Sequence, residues 1–335
     1  MGILDSLKAA DKMKADLQEL RNPKIYTNFP NAIRAFSKVF PGRIGTRDRL
    51  YPSGIGYVCP REFVLNYWNP QFSSPPEFKN MLMMDSGTFM HEFFQDHILG
   101  PMGVLKGMWQ HTVTNQLVEG YHPDAVAAVS QYASRETKPW RFVETKFYLE
   151  EERLSGKGDG IVSLDRLKFL SDNLYKVRKN PHSFFEQIWD IDPGDEADLE
   201  IKTTNDHTYS SLTDVSSLTD GHKMQAATYQ KVTGNRKTVF LFLNRDKMTM
   251  KSILYERDPS YWNIVKGKCD LIWDAIKTRT LPVSGASCTS ASDNRAKKCP
   301  QCGPCFNKYA AGQFRDWTIE QQTNNPDLPW LHELP

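Results

Sequence analysis

Three short strings occur in a fixed order in the sequence and constrain its fold more than any other feature. They are GDG at 158–160, EIK at 200–202 and QAATY at 225–229. The first lies in a pattern typical of a hairpin, the second in the apolar strand pattern DLEIKTT, and the third in a segment with helical periodicity. We therefore expect an α/β protein in which a hairpin, a strand and a helix present polar side chains to one site.

The remaining periodicities predict helices and strands around these strings. Helices are predicted over 5–20, from Pro60 to Trp68, from Ser86 to Ile98, and over 121–135, 214–233 and 259–278. Strands are predicted over 142–150, 154–164, 198–204, 238–244 and 252–256, the first two as a hairpin and the last two paired. Because no clean linker divides the chain, we expect one core at 57–281 with an insertion at 165–197, an N-terminal helical and irregular extension at 1–56, and a C-terminal cysteine segment at 282–335.

The EIK string has the pattern of a site on a strand. Side chains alternate between the two faces of a strand, so Glu200 and Lys202 project together while Ile201 points into the core. Asp159 and Glu200 offer the carboxylate oxygens that Mg²⁺ or Mn²⁺ prefers, and the Ile201 carbonyl is a third candidate ligand. Lys202 is placed to position a water molecule and to stabilise charge on a phosphoryl transition state.

Two other elements carry candidate residues for the same site. Gln225 and Tyr229 are four residues apart, so they share one helix face and reach a phosphate or the site carboxylates. His91 shares a helix face with Gly87 and Gln95, and a neutral imidazole there is a further candidate metal ligand. Alone, EIK is usually a solvated strand face and GDG a turn. It is their order that predicts a metal-dependent phosphodiesterase site.

Cysteines form a second signature. Of six, Cys269 lies in an apolar-periodic stretch and is predicted to be a buried core thiol. Four others cluster near the C-terminus and one lies far upstream: Cys288, Cys299, Cys302, Cys305 and Cys59. An intracellular chain rarely stores disulfides, so metal ligation is the better interpretation. Spacing does not distinguish zinc from an iron–sulfur cluster, and both remain open.

Bulk properties limit the classes of partner. The net charge is +2 and the pI is about 8.1, so a nucleic-acid partner is permitted, and any basic track must be local. No apolar run reaches the roughly 18 residues of a membrane span, and the N-terminus lacks the apolar region of a secretory signal. We therefore expect a cytoplasmic protein without a membrane partner. GNRKTV at 234–239 lacks the phosphate-loop pattern, so unwinding would need a partner helicase.

Together the motifs resemble the RecB-type branch of the PD-(D/E)XK nucleases, in particular the iron–sulfur subset with AddB-type and CRISPR-associated RecB-like exonucleases. GTFMH matches the family's histidine motif at His91, and GKGDG its aspartate motif at Asp159. EIK matches the Glu-x-Lys motif at Glu200 and Lys202, and QAATY the Gln-x-x-x-Tyr motif. The resemblance implies a restriction-endonuclease-like core, in which a central mixed β-sheet is flanked by helices.

The same resemblance implies a function and a cofactor. It implies Mg²⁺- or Mn²⁺-dependent exonucleolytic cleavage of single-stranded DNA or DNA ends, in recombination, repair or CRISPR-type processing. It also implies a 4Fe–4S cluster held by Cys59 and three downstream cysteines, for which we favour Cys299, Cys302 and Cys305, with Cys288 as the alternative to Cys302. The interval between Asp159 and Glu200 exceeds the family's usual gap, and the predicted insertion accounts for it. The competing hypothesis is a non-catalytic binding module for DNA ends or single strands, with a structural zinc site.

Overall fold

The computed structural model describes residues 49–68, 78–125, 139–169, 191–282, 288, 290–299, 301–302 and 305–306. The helix predicted over 5–20 and most of the helix predicted over 121–135 lie outside these residues. Among the described helices, none combines the length and the apolar character needed to cross a bilayer.

Helices lie at both ends of the described chain, and most of the strands follow one another in its middle part. The helices are α1 (Pro52–Ile55), α2 (Pro60–Trp68), α3 (Phe78–Phe94, continued by a π-helical turn at Gln95–Leu99), α4 (Asp206–Ser211), α5 (Asp220–Thr233), α6 (Pro259–Thr278) and α7 (Asn294–Lys297), with a 3₁₀ turn at Val215–Ser217. The strands are β1 (Leu105–His111), β2 (Leu117–Tyr121), β3 (Trp140–Val143), β4 (Thr145–Leu149), β5 (Leu154–Gly158), β6 (Ile161–Ser163), β7 (Glu196–Thr204), β8 (Lys237–Asn244) and β9 (Thr249–Glu256).

A mixed seven-stranded sheet forms the centre of the fold. Its order is β2-β1-β6-β7-β8-β9, and β3 also pairs with β1, while β4 and β5 form a separate two-stranded sheet. All pairs are antiparallel except β7 with β8, which are parallel. A parallel pair needs a crossover connection, and α4, the 3₁₀ turn and α5 supply it. The α/β class and the central mixed sheet flanked by helices are therefore as predicted.

The apolar core has three parts. The first lies under α3, where residues of β1, β6, β7 and β8 pack around the fully buried Trp109 and Ile201. On β8 and β9, Phe240 packs with Phe242 and Tyr255. Beside the sheet, α2 packs on α6, where Trp273 meets two aromatic rings of α2 edge-on. Leu50 and Ile55 also belong to this last part, so the packed core includes residues of the predicted N-terminal extension. Cys269 is fully buried there, as predicted.

Several elements differ from their predicted bounds. The run 142–150 is not one strand, because β3 pairs with β1 and β4 with β5. The run 154–164 likewise divides into β5 and β6 around Asp159 and Gly160. The predicted hairpin is confirmed as β4 with β5, and β8 and β9 pair as predicted.

The predicted helix bounds were also wrong at three places. The helix α3 begins at Phe78, not at Ser86, and Tyr121 ends strand β2, so it does not begin a helix. Within 214–233, the helix proper begins only at Asp220, because Thr219 has extended dihedral angles and caps it. Strands β1 and β2 were not predicted, since LKGMWQH and LVEGY lack regular alternation.

Candidate active site

Asp159 lies between β5 and β6, and hydrogen bonds from other residues hold both its carboxylate and its backbone carbonyl. The residue is 6% exposed, and its Oδ2 accepts a 2.7 Å hydrogen bond from the backbone N–H of Ile201 on β7. Its carbonyl accepts a 2.9 Å bond from Gln95 Nε2. Gly160 has φ +128°, a conformation that L side chains rarely adopt, and a Cβ there would lie 2.5 Å from a Leu105 methyl carbon. This glycine therefore allows the tight turn that presents Asp159.

His91 and Glu144 lie on the outer side of Asp159. His91 reaches the site from α3, with Nδ1 3.3 Å from Asp159 Oδ1. Glu144 lies between β3 and β4, where its Oε2 is 3.3 Å from Lys157 Nζ. One ligand atom from each of His91, Glu144 and Asp159 lies within 4.8 Å of the others. In the part of the chain described, no other group of three or more histidine, cysteine or acidic side chains meets that spacing.

Glu144 was missed by sequence reasoning. It was part of a run read as one alternating strand, and nothing in its neighbours marks it as a ligand. The signal appears only in three dimensions, because the chain passes from one sheet to another at this residue. Conversely, the predicted ligand Glu200 is not a member of that trio. It occupies the inner side of the site, with Lys202.

Glu200 and Lys202 project from the same face of β7, as the alternation predicted, while the Ile201 side chain is fully buried. Lys202 Nζ lies 2.7 Å from Glu200 Oε1, and Gln225 Nε2 donates a 2.8 Å hydrogen bond to the same oxygen. Glu200 itself is 3% exposed. Its second oxygen, Oε2, is buried and has no hydrogen-bond partner within the described part of the protein. The Ile201 carbonyl as a metal ligand remains a prediction.

Helix α5 carries the other two predicted residues. It begins with a reciprocal capping box, in which Thr219 and His222 each accept a backbone N–H of the other, and it ends at Gly234 in the left-handed conformation. Gln225 Oε1 accepts a 2.8 Å hydrogen bond from Lys202 Nζ. Gln225 Nε2 also donates to Tyr229 Oη at 3.2 Å, and that hydroxyl donates to the Lys157 carbonyl at 3.1 Å.

The protein therefore brings all the predicted side chains into one connected network. The network runs from His91 through Asp159 to the backbone of β7, and from the Glu200–Lys202 pair through Gln225 to Tyr229.

Burial and charge perturb the titration of this network. Burial, opposed by Lys202, raises the pKa of Glu200 to about 7. Burial lowers the pKa of His91, but the hydrogen bond to Asp159 and the surrounding carboxylates outweigh it, so its pKa is raised. The pKa of Lys202 is also raised, because attraction by Glu200 and Asp159 exceeds the effect of burial. Burial and the same two carboxylates raise the pKa of Tyr229 well above its usual value. Because its pKa is raised, Lys202 stays protonated and positively charged at neutral pH.

The upstream and C-terminal cysteines also approach one another. Cys59 directly precedes α2, and Arg61 in the first turn of that helix donates from Nε to Cys305 Sγ at 3.0 Å and from Nη2 to the Cys305 carbonyl at 2.9 Å. Cys302 Sγ lies 3.9 Å from the Ala291 carbonyl. Burial raises the pKa of Cys299 to about 11, and the charges of Cys59 and Cys305 add to this effect.

The alternative ligand Cys288 lies in the same neighbourhood. Its pKa is raised by burial and by the charges of Cys59 and Cys305. All five thiols are free in this structure. No three of these five described sulfur atoms lie within 4.8 Å of one another. The geometry thus brings Cys59 to the C-terminal segment and leaves the choice between Cys288 and Cys302 open.

Comparisons with known proteins add little to this geometry. No protein-family model matches the sequence, and no curated protein matches it. Among solved structures, a crystal structure of SSO0001 is similar with a TM-score of 0.36 and 13% sequence identity, over 92% of this chain and 98% of that chain. A likeness of this strength does not identify a fold family or a function for this chain.

Proposed function

We propose that this protein is a divalent-metal-dependent DNA nuclease with a PD-(D/E)XK core of the RecB type, acting as an exonuclease on single-stranded DNA or DNA ends. The observation that carries the proposal is the connected network around β7. There, the buried Asp159 accepts from the β7 backbone, the buried Glu200 lies beside the charged Lys202, and Gln225 accepts a hydrogen bond from that lysine. Isolated Glu-x-Lys pairs on solvated strands have no such surroundings.

The donor set fits a hard divalent cation. Carboxylate oxygens from Asp159 and Glu144 and the imidazole of His91 converge within 4.8 Å, and Glu200 Oε2 is a buried oxygen without a hydrogen-bond partner among the described residues. A buried carboxylate oxygen of this kind is costly unless a cation or donor satisfies it. These residues would hold Mg²⁺ or Mn²⁺. When bound, such an ion polarises a phosphate oxygen and lowers the pKa of a bound water.

The chain's own residues then have separate tasks. Lys202 is protonated, so it cannot act as the base; it donates to the attacking water or to a phosphate oxygen as negative charge develops there. Gln225 accepts from Lys202 and donates to Glu200, which fixes the ammonium group. Tyr229 locks Gln225 against the hairpin. The water oxygen bonds to phosphorus and releases a proton to the solvent, while the bond from phosphorus to the leaving oxygen breaks and that oxygen takes up a proton from the solvent.

We further propose that Cys59, Cys299, Cys305 and either Cys302 or Cys288 hold a 4Fe–4S cluster. A tetrahedral zinc site with Zn–S bonds of about 2.3 Å places its sulfur atoms roughly 3.8 Å apart. Among the described residues no three of these sulfur atoms lie within 4.8 Å of one another, and the choice of a 4Fe–4S cluster over zinc rests on the resemblance to the iron–sulfur nucleases of the RecB type. Such a cluster would join α2 to the C-terminal segment. We also propose that the protein is cytoplasmic and that it receives DNA strands from a partner helicase or recombination protein.

The proposal is tested by incubating anaerobically purified protein with end-labelled single- and double-stranded DNA, with and without Mn²⁺. We expect cleavage only with the ion, and a product ladder that reveals its polarity. The control is Asp159→Asn, which keeps the size of the side chain and should be inactive. Binding of DNA without any cleavage under all these conditions would instead favour the non-catalytic binding module.

A further inference from the structure

A pocket of about 220 Å³ opens between the segment before Cys59 and the first turns of α2. Its lining residues include three aromatic ones, Tyr51, Tyr57 and Phe63, and two polar ones, Glu62 and Asn66. Tyr51 and Tyr57 are 47% and 58% exposed, so two tyrosines are accessible to solvent at this pocket. Neither ring has a part in the proposed hydrolysis.

Tyr57 connects this pocket to the candidate active site. Its hydroxyl lies 3.0 Å from Thr219 Oγ1, the cap of α5. A Cβ at Gly221 would lie 2.4 Å from the Tyr57 ring, so the ring lies directly on the first turn of α5. Gly221 and Gln225 are four residues apart and share one face of that helix. The ring is therefore one helical turn from the glutamine that holds Lys202.

The exposed ring of Tyr57 is attached to a fixed backbone. Lys268 Nζ donates to the carbonyls of Ile55 and Gly56 at 3.0 and 3.3 Å, and Arg295 donates to the Tyr57 carbonyl at 3.2 Å. At Gly56, a Cβ would lie 2.2 Å from the Gly221 backbone, so only glycine permits this close approach. An aromatic surface held in place before binding loses little conformational entropy when a ligand stacks on it.

The lining of the pocket selects its occupant. Glu62 is the one formally charged residue among those that line it, and a carboxylate repels phosphate but accepts N–H groups. The volume is below the roughly 300–1,000 Å³ of pockets for drug-sized ligands, which suits one planar group. Stacking on tyrosine is a general mode of binding for unpaired bases.

We propose that this pocket binds a single unpaired nucleobase of the DNA strand, stacked on Tyr57 with its amino edge toward Glu62. The assignment rests on the proposed nuclease function, because it identifies the substrate group bound next to the site of cleavage. It makes Tyr57 a substrate-positioning residue and Glu62 a residue that sets base preference. A base held there would place the adjoining phosphodiester near Lys202.

The test is a scan of single-stranded oligonucleotides in which one base at a time is removed. For the wild-type protein we expect cleavage to slow about tenfold when the abasic position is the one bound in the pocket, since stacking on an aromatic ring accounts for an effect of this order. Tyr57→Ala should cut the intact and abasic strands equally slowly, whereas Tyr57→Phe, which keeps the ring, should still distinguish them. Tyr148→Ala removes an exposed tyrosine outside the pocket and should behave as wild type.

Base preference provides a second readout. At the same position, cytosine offers an amino donor where thymine offers an acceptor, so Glu62 should favour cytosine several-fold. Glu62→Gln presents both a donor and an acceptor and should reduce that ratio to about one. Equal cleavage of intact and abasic strands by the wild type, or an unchanged preference in Glu62→Gln, would overturn the inference and leave the nuclease function standing.

A binding measurement keeps the two proposals distinguishable. If no DNA is cut under any condition, the nuclease function fails, and equilibrium binding of the same oligonucleotides to the wild-type protein still tests the pocket. We expect the abasic strand to bind about tenfold more weakly, and Tyr57→Ala to remove the difference. Equal binding of the two strands by wild type would refute the pocket assignment by itself.

Discussion

Replacement of Lys202 by alanine should abolish cleavage and yet leave the fold almost intact at neutral pH. Removing one partner of a buried ion pair ordinarily costs about 3–5 kcal/mol, because a charge is left buried and unpaired. Here the remaining partner, Glu200, has a pKa of about 7 in the metal-free protein. The carboxyl therefore takes up a proton instead of staying charged, which limits the penalty.

The size of that penalty follows from the titration. With a pKa near 7, a large share of Glu200 is already protonated at pH 7, so raising the pKa further costs less than about 1 kcal/mol. The lost hydrogen bond to Gln225 adds about 1 kcal/mol. The folded pKa lies above the ordinary value of 4.5, so the stability contributed by this carboxyl is present below pH 4.5 and is lost as pH rises through the folded pKa. In the variant that loss continues above pH 7, because Lys202 no longer lowers the pKa.

The assay is denaturant unfolding in EDTA, together with cleavage of labelled DNA in Mn²⁺. We expect the difference in unfolding free energy between wild type and Lys202→Ala to be about 1–2 kcal/mol at pH 7 and to widen by about 1 kcal/mol at pH 8. Lys106→Ala is the control, since it breaks a partly exposed pair with Glu196 and should show a small difference that does not change with pH. A difference of 3 kcal/mol or more at pH 7, or one that narrows as pH rises, would refute the reasoning, as would normal cleavage by Lys202→Ala.

Three further predictions follow from single contacts. Glu144→Gln should weaken Mn²⁺ binding about tenfold, measured as the ion concentration that gives half of the thermal stabilisation, because it removes one charged ligand of the trio; an unchanged midpoint would exclude Glu144. Burial and Lys202 lower the pKa of His222 to about 4, so the stability that this histidine contributes is present above pH 6.5 and is lost as pH falls toward 4. Between pH 7 and 5, the unfolding free energy of wild type should fall by about 1 kcal/mol more than that of His222→Gln, which keeps a capping acceptor. Equal losses in the two proteins would contradict this prediction. Gly221→Ala should displace the Tyr57 ring and remove the sensitivity to an abasic position without unfolding the protein; retained sensitivity would show that the ring does not need this glycine.

Much of the site was predictable from the sequence because strand and helix periods determine which side chains share a face. Alternation was enough to place Glu200 and Lys202 together on β7, and four-residue spacing was enough to pair Gln225 with Tyr229. Helices α2 and α6 begin where they were predicted, and each has a proline at its first position, where proline is favourable.

Contacts between segments distant in sequence were not predictable. Glu144 becomes a neighbour of His91 only because the chain moves from β3 in the large sheet to β4 in the small one. Strand β1 carries the fully buried Trp109, yet its sequence lacks alternation, and its place in the sheet depends on pairing with β3 and β6, which come later in the chain. Tyr57 lies beside the candidate active site because two glycines, 56 and 221, allow two backbones to touch. A single sequence shows each glycine but not its partner.

The central claim is that the network around Asp159 holds a divalent cation. The most direct measurement is the amount of Mn²⁺ bound per chain, determined by electron paramagnetic resonance for wild type, Asp159→Asn and Cys59→Ser. We predict saturable binding to wild type and to Cys59→Ser, and loss of that binding in Asp159→Asn. Equal Mn²⁺ binding by wild type and Asp159→Asn would contradict the account.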